Sequence, residues 1–216
     1  MSLRELREGI VGGLVLVGCV FLLGSSRPAF GAEGSVGIGE GEVTSVNRIS
    51  LGGEIIFVGS KITGSHECRF SEWGGWFEPA GGKVEGGRIE ILLKTASVVG
   101  DFKDPGKWSA KLEKHLRGED FLYSSKFPEA RFTSSSIRAI QASVDGNTHV
   151  IKGLLTIKGV SKEVFFPASV RFEGGKVEGA AELTINRKDF NIKYDGRKDD
   201  LISESVVLKF LLKGAA

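Results

Sequence analysis

The fold class predicted from this sequence is an all-β domain of antiparallel strands with one short helix. Three observations point to it. Glycine occurs 31 times in 216 residues, against 5 prolines. That is about twice ordinary glycine usage, without the three-residue period of collagen, and it suits many tight turns. Segments with an apolar residue at every second position recur along the chain, the pattern of strands with one buried face. One segment alone carries a helical stripe between start and stop signals.

The strands can be taken in order. Residues 54–61 and 129–138 read as strands with imperfect alternation. In 88–95, Ile89, Ile91 and Leu93 share one face, opposite Arg88, Glu90 and Lys94. In 149–158, Ile151, Leu155 and Ile157 alternate with Lys152, Thr156 and Lys158. In 163–172, Val164, Phe166, Val170 and Phe172 alternate with Glu163, Ser169 and Arg171. In 177–186, Val177, Leu183 and Ile185 alternate with polar residues, as do Val206, Leu208, Phe210 and Leu212 in 205–213. The hexapeptide Gly81-Gly-Lys-Val-Glu-Gly86 returns at 174–179. Each copy precedes a strand, and Gly-Gly suits a tight hairpin, so two similar turns are expected. The helix is framed by Asp104 as N-cap, Pro105 at its first position and Gly118 at its end. Trp108, Leu112 and Leu116 form its apolar stripe, with His115 alongside. Periodicity leaves open whether the strands make a sandwich or close into a barrel.

The chain divides into three parts. Residues 9–26 carry no charge, Arg4 and Arg7 precede them, and Ala29 and Gly31 follow as small residues. This is the layout of a secretory signal peptide over 1–31. Two other readings stand beside it: a lipidated Cys19 after Leu16-Val17-Gly18, and an uncleaved membrane anchor. The apolar core of that run, residues 10–23, is short for a spanning helix of about 20 residues. Residues 32–42 read as a flexible Gly-rich linker, without the strand and helix that a nucleotide-binding glycine loop needs. Residues 43–214 form the folded domain.

Charge and motifs narrow the function. Lys and Arg total 29, Asp and Glu 27, for a net charge of +2. That balance points to no nucleic-acid partner. His66-Glu67 begins a zinc motif that Phe70 breaks, and the three histidines, His66, His115 and His149, show no metal-ligand spacing. No GxSxG elbow or SxxK pair is present, and the acidic residues are scattered. The Ser134–Ser136 run reads as surface or turn, Trp73, Trp76 and Trp108 as core or barrel-mouth plugs, and Cys68 as a lone thiol. No catalytic residue, metal ligand or cofactor is assigned. What remains is the apolar strand faces. A closed barrel with incomplete filling would offer an apolar slot for a long apolar molecule. The candidate lumen set is Ile91, Leu93, Leu155, Ile157, Phe166, Phe172, Leu208 and Phe210, which holds only if the inward face is assigned correctly.

Three blocks carry a family resemblance. The first runs from Lys114 to Ser134 and includes His115, Leu116, Asp120, Phe121, Phe127, Pro128, Phe132 and Ser134. The second is Ile151-Lys-Gly-Leu-Leu-Thr-Ile-Lys-Gly-Val-Ser-Lys162, and the third Ile185-Asn-Arg-Lys-Asp-Phe-Asn-Ile192. Together they resemble the YceI-like, polyisoprenoid-binding family over about 45–213. Asn191 departs from the family pattern, where glycine is usual, and the segment 61–66 resembles only a subset. The resemblance implies an eight-stranded antiparallel lipocalin-like barrel with a helix against it, and no catalytic residues. It implies a bound long-chain isoprenoid lipid, such as a polyprenol or quinone precursor. It also implies a periplasmic or secreted location, which the N-terminal segment supports, with membrane contact through that segment if it is retained. Under this reading His115 and Asp120 fix the helix and its following turn, while Asn186, Arg187 and Asp189 satisfy a strand bend. The other functional reading is a non-catalytic structural or interaction module of the cell envelope, acting through its outer surface.

Overall fold

The computed structural model of the protein describes residues 47–103, 105–106, 108–141 and 145–216. The expected leader and linker over 1–42, and the expected N-cap Asp104, lie outside the described residues. Of the two ways to cover an apolar sheet face, this chain uses closure. Strands β1 (Ile49–Lys61), β3 (Trp73–Ala80), β4 (Lys83–Lys94), β6 (Glu129–Ala139), β7 (His149–Ile157), β8 (Val160–Glu173), β9 (Lys176–Asn186) and β11 (Asp200–Ala215) pair in a ring. The last strand returns to the first, from Leu51↔Gly214 to Lys61↔Ile202. The result is a closed eight-stranded antiparallel barrel, the architecture that the family resemblance implied. Closure removes the sheet edges that would otherwise invite aggregation.

Three short strands supplement these eight. β2 (Gly64–Phe70) extends the second wall strand beyond the break at Ser71 and Glu72, and pairs with the far half of β1. β5 (Val98–Val99) pairs with β2, and β10 (Gly196–Arg197) makes a small hairpin with β11. These pieces have no clear alternation and were not expected from the sequence.

The repeated Gly-Gly turns form as expected. Gly81 and Gly82 have φ of 56° and 75°, and Gly174 and Gly175 have the same pair of values. This left-handed sequence matches the twist of a two-residue hairpin, and glycine adopts it without a steric cost.

The helix α1 (Ser109–Arg117) starts later than expected. Pro105 does not occupy its first turn, because Gly106 and Trp108 turn the chain first and the Ser109 N–H bonds to the Gly106 carbonyl at 3.0 Å. Glycine is a poor helix interior residue, so the later start is the cheaper one. Gly118 ends the helix as expected, its N–H bonding to the His115 carbonyl. Leu116 packs with Cys68 and Val98, and Leu112 lies beside them, which holds α1 against β2 and β5. Trp108 leaves the expected stripe. One turn nearer the N-terminus, it stands at the barrel mouth with 64% of its surface exposed.

Candidate functional site

The site is built by strand parity. In β7 the side chains of Ile151, Leu155 and Ile157 turn inward, and in β8 Phe166 and Ala168 do the same. Lys152, Leu154 and Phe165 face out. Gly153 has a specific reason to be glycine: a Cβ there would sit 2.7 Å from the Phe132 ring. The missing side chain is the space that the ring fills. A register shift between Ser134 and Ser136 lies opposite. There Ser134, expected at the surface, is instead buried and accepts the Ile89 N–H at 2.8 Å. That bond satisfies a donor that the barrel wall would otherwise leave unpaired.

Two apolar voids occupy the lumen. The larger, about 140 Å3, lies toward α1 and is lined by Ile55, Leu93, Leu155, Ile157, Ile185 and Leu208, among others. The smaller, about 50 Å3, lies toward the Gly-Gly turns and is lined by Leu51, Phe77, Val177 and Leu212, among others. Ile91, Phe132 and Phe210 border both. Phe166 completes the partition, 5.6 Å from Phe132 and stacked 6.0 Å from Phe210 between ring centroids. A transverse layer of three aromatic rings thus divides one lumen into two.

Of the eight candidate residues, Ile91, Leu93, Leu155, Ile157, Leu208 and Phe210 line the larger void, and Phe166 lines the smaller. Phe172 borders neither. It packs edge-on against Phe77, with ring centroids 5.6 Å apart, near the end of β8. Sequence reading missed the lumen residues of β1 and β6, such as Ile55 and Phe132. It also missed the residues after α1, Phe121 and Leu122. Only the block that carries Phe121 and Phe132 signalled them.

Arg187 is the sole charged residue that lines the two voids, among the described residues. It is 3% exposed and bonded to three backbone carbonyls. Its Nε donates to the Ser203 carbonyl at 2.8 Å, Nη1 to Ile192 at 2.7 Å and Nη2 to Ile202 at 3.1 Å. It therefore pins the turn at 187–192 to β11, with Asp195 3.7 Å from Nη2. Asn191 ends the same turn at φ 58°, which explains the departure from glycine: asparagine tolerates this left-handed conformation better than other side chains do. Asn186 caps the turn by accepting the Lys188 N–H at 2.9 Å.

The three sequence blocks meet at this end. Lys158, in the β7–β8 turn, donates to the Glu119 carbonyl at 2.7 Å and the Asn191 carbonyl at 3.0 Å. Burial lowers the affinity of this ammonium for its proton, and the nearby Asp120 and Glu119 oppose that shift. His115 Nε2 lies 3.3 Å from Asp120, and its ring packs edge-on against Phe121 and Tyr194. The expected contact of His115 with Asp120 is present, and Asn186 and Arg187 hold the bend after β9.

Outside this layer is an open cleft of about 570 Å3, flanked by α1, the β1–β2 turn and the β10–β11 hairpin. Phe57, Gly59, Leu116, Phe121 and Ile202 line both the cleft and the larger void. A single layer of side chains therefore separates the lumen from solvent at this mouth. The β1–β2 turn is latched to the hairpin. Lys61 pairs with Asp200, the Thr63 N–H and hydroxyl donate to the same carboxylate, and the Ile62 N–H bonds to the Leu201 carbonyl at 3.1 Å. The Lys61 ammonium holds the Asp200 carboxyl below its usual range. Below the cleft, Cys68 is buried, and loss of solvation pushes its thiol up to about 11. Such a thiol is almost wholly protonated at neutral pH and is poorly suited to redox chemistry. His66 lies 3.0 Å from Asp101, outside any group of three metal-ligand residues among those described.

A closed barrel with an apolar, partly filled lumen adjoining an open cleft is an architecture suited to holding a hydrophobic ligand. Comparisons with known proteins give the family and the fold. A profile of the YceI-like domain matches residues 44–213. A UPF0312 protein of Pseudomonas fluorescens is 30% identical over 193 residues, covering 82% of this chain and 93% of its own length. A UPF0312 protein of Pseudomonas putida is 35% identical over 135 residues, covering 59% of this chain and 64% of its own. The crystal structure of Burkholderia cenocepacia BcnA superposes with a TM-score of 0.61 at 24% identity, covering 76% of this chain and 95% of that one, a likeness of fold. The chain belongs to the YceI-like family.

Proposed function

We propose that this protein is an exported carrier of a long-chain isoprenoid lipid, a polyprenol or quinone precursor, held in the barrel lumen. The observation that carries the reading is the lumen itself: two apolar voids on one axis, one of them adjoining the cleft, with Arg187, the one charged lining residue among those described, bonded to backbone carbonyls. A carboxylate or phosphate buried away from Arg187 would find no partner, and an unpaired buried charge is strongly disfavoured. The ligand is therefore an apolar chain that enters tail first and leaves its polar end at the mouth. Each isoprene unit contributes about 4 kcal/mol of burial at about 0.8 kcal/mol per carbon, before the costs of ordering.

The closed volumes set a condition. An apolar void of about 150 Å3 takes up a molecule the size of benzene, so the larger void accepts little more than one isoprene unit as it stands. A longer chain must swing the rings of Phe166 and Phe210 aside and join the two voids. The preference for isoprenoid over straight acyl chains follows from the family resemblance. Export to the periplasm, with or without a retained membrane anchor, is supported by the uncharged run over 9–26 and the small residues at Ala29 and Gly31.

The test is loading with geranylgeraniol in detergent-free solution, read by native mass spectrometry. The wild-type chain is expected to take up one molecule. Phe166→Asp, in the aromatic layer, is expected to take up none, while Lys152→Glu, on the outer wall, loads normally. An unloaded wild-type chain, or equal loading of the two variants, overturns the reading.

A further inference from the structure

Three of the most exposed large apolar side chains stand around this mouth of the barrel. Ile62 is 68% exposed, Trp108 64% and Leu201 49%. They come from three separate elements: the β1–β2 turn, the entry to α1, and the start of β11. They are nevertheless brought together. The Ile62 N–H bonds to the Leu201 carbonyl, and Trp108 lines the same cleft as Lys61, Asp200 and Ile202. Exposed apolar residues scattered singly need no explanation, but a rim of them around a lipid portal does.

Exposed cations stand close to these apolar tips. Lys111, Arg197 and Lys198 are exposed there. Most neighbouring acids are already engaged: Asp200 by Lys61, Glu67 by Lys103 at 2.7 Å, Glu113 by Arg117 at 2.8 Å, and Asp101 by His66. Asp199 is exposed in the β10–β11 hairpin, and Asp120 is exposed beside His115 on the far side of the cleft. Apolar tips, an indole and exposed cations on one face match an anionic lipid surface, where indoles settle at the headgroup level and cations meet lipid phosphates.

We infer that the mouth rim is a membrane-docking face, with Ile62, Trp108 and Leu201 entering the headgroup region of an anionic bilayer and Lys111, Arg197 and Lys198 pairing with its phosphates. The portal then opens onto the bilayer, so that an apolar chain passes between membrane and lumen without crossing water. The inference rests on the carrier reading only for what passes through the mouth; the docking itself is a separate property of the surface.

The experiment uses the full chain with vesicles of phosphatidylcholine and phosphatidylglycerol, a fraction of them carrying brominated acyl chains that quench tryptophan at short range. Quenching is expected in the wild type and in Trp76→Phe, whose ring lies on the outer wall against Arg48. It is expected to be lost in Trp108→Phe, which reports the rim whatever the N-terminal segment does. Replacing Arg197 and Lys198 by glutamine should lower vesicle partitioning by about fivefold per charge. Undiminished quenching in Trp108→Phe, absence of quenching in the wild type, or partitioning indifferent to the two cations overturns the inference. Geranylgeraniol loading of the same variants, done without vesicles, separates the two ideas: loading intact with docking lost implicates the rim alone, and docking intact with no loading implicates the lumen.

Discussion

Phe166→Ala removes the middle ring of the aromatic layer and tests whether the two voids are one channel. Phe166 is 5% exposed and stands between Phe132 at 5.6 Å and Phe210 at 6.0 Å. Deletion of a buried Phe ring costs about 3–5 kcal/mol in lost transfer energy and residual cavity, and the two ring pairs fall within that figure. For a domain of this size each kcal/mol lowers Tm by about 2–4 °C, so a fall of about 10 °C is expected by calorimetry of the ligand-free protein. The cavity left behind joins the larger and smaller voids. Binding should then change with ligand length: geraniol binds about as before, while geranylgeraniol, which no longer has to displace a ring, binds more tightly relative to the wild type. A destabilisation below about 1 kcal/mol would show that the rings are not packed across the lumen. Unchanged discrimination between the two ligands would show that the voids do not form a continuous channel.

Other predictions address the mouth and the core beneath it. Arg187→Lys keeps the charge but replaces a forked donor serving three carbonyls with one ammonium; it is expected to cost about 2–4 kcal/mol in chemical denaturation and to loosen the 187–192 turn. The latch on Asp200 is acid-sensitive. Its folded-state pKa is depressed by Lys61, so its contribution is complete above the unfolded carboxylate value of about 3.9 and is lost as pH falls through the lower folded value. Hydrogen exchange at the Ile62 and Thr63 amides, corrected for intrinsic rates, should therefore rise over that interval, and a flat profile would contradict the latch. Cys68, with its thiol pushed up to about 11, should resist aromatic disulfide reagents at pH 8 until the protein unfolds. Rapid labelling of the native state would show that the site beneath α1 is open.

What the sequence revealed follows from where one physical rule acts alone. In β7, β8 and β11 one face meets the lumen and the other meets water, so parity placed Leu155, Phe166 and Phe210 inward without a structure. β1 obscures the rule because its adjacent residues Ile55 and Ile56 are both buried, and a register shift follows Gly59. Its lumen residue Ile55 was accordingly not named. Phe172 shows the limit of parity: it faces inward, yet it sits where Phe77 closes the barrel, and depth along the axis depends on register with distant strands. The aromatic layer was illegible for the same reason, since Phe132, Phe166 and Phe210 come from three strands. The helix start failed because Pro105 is a local signal and Gly106 a competing one. Trp108 fitted a helical stripe by spacing alone; its exposure depends on where α1 meets the barrel edge.

The binding of a lipid in the lumen is tested most directly by native mass spectrometry of the full chain, expressed with its N-terminal segment and purified without detergent, followed by organic extraction. One additional mass per chain, recovered as an isoprenoid lipid, is the expected result. A bare polypeptide mass that stays bare after incubation with geranylgeraniol would contradict it, and would direct attention to the outer surface of the barrel.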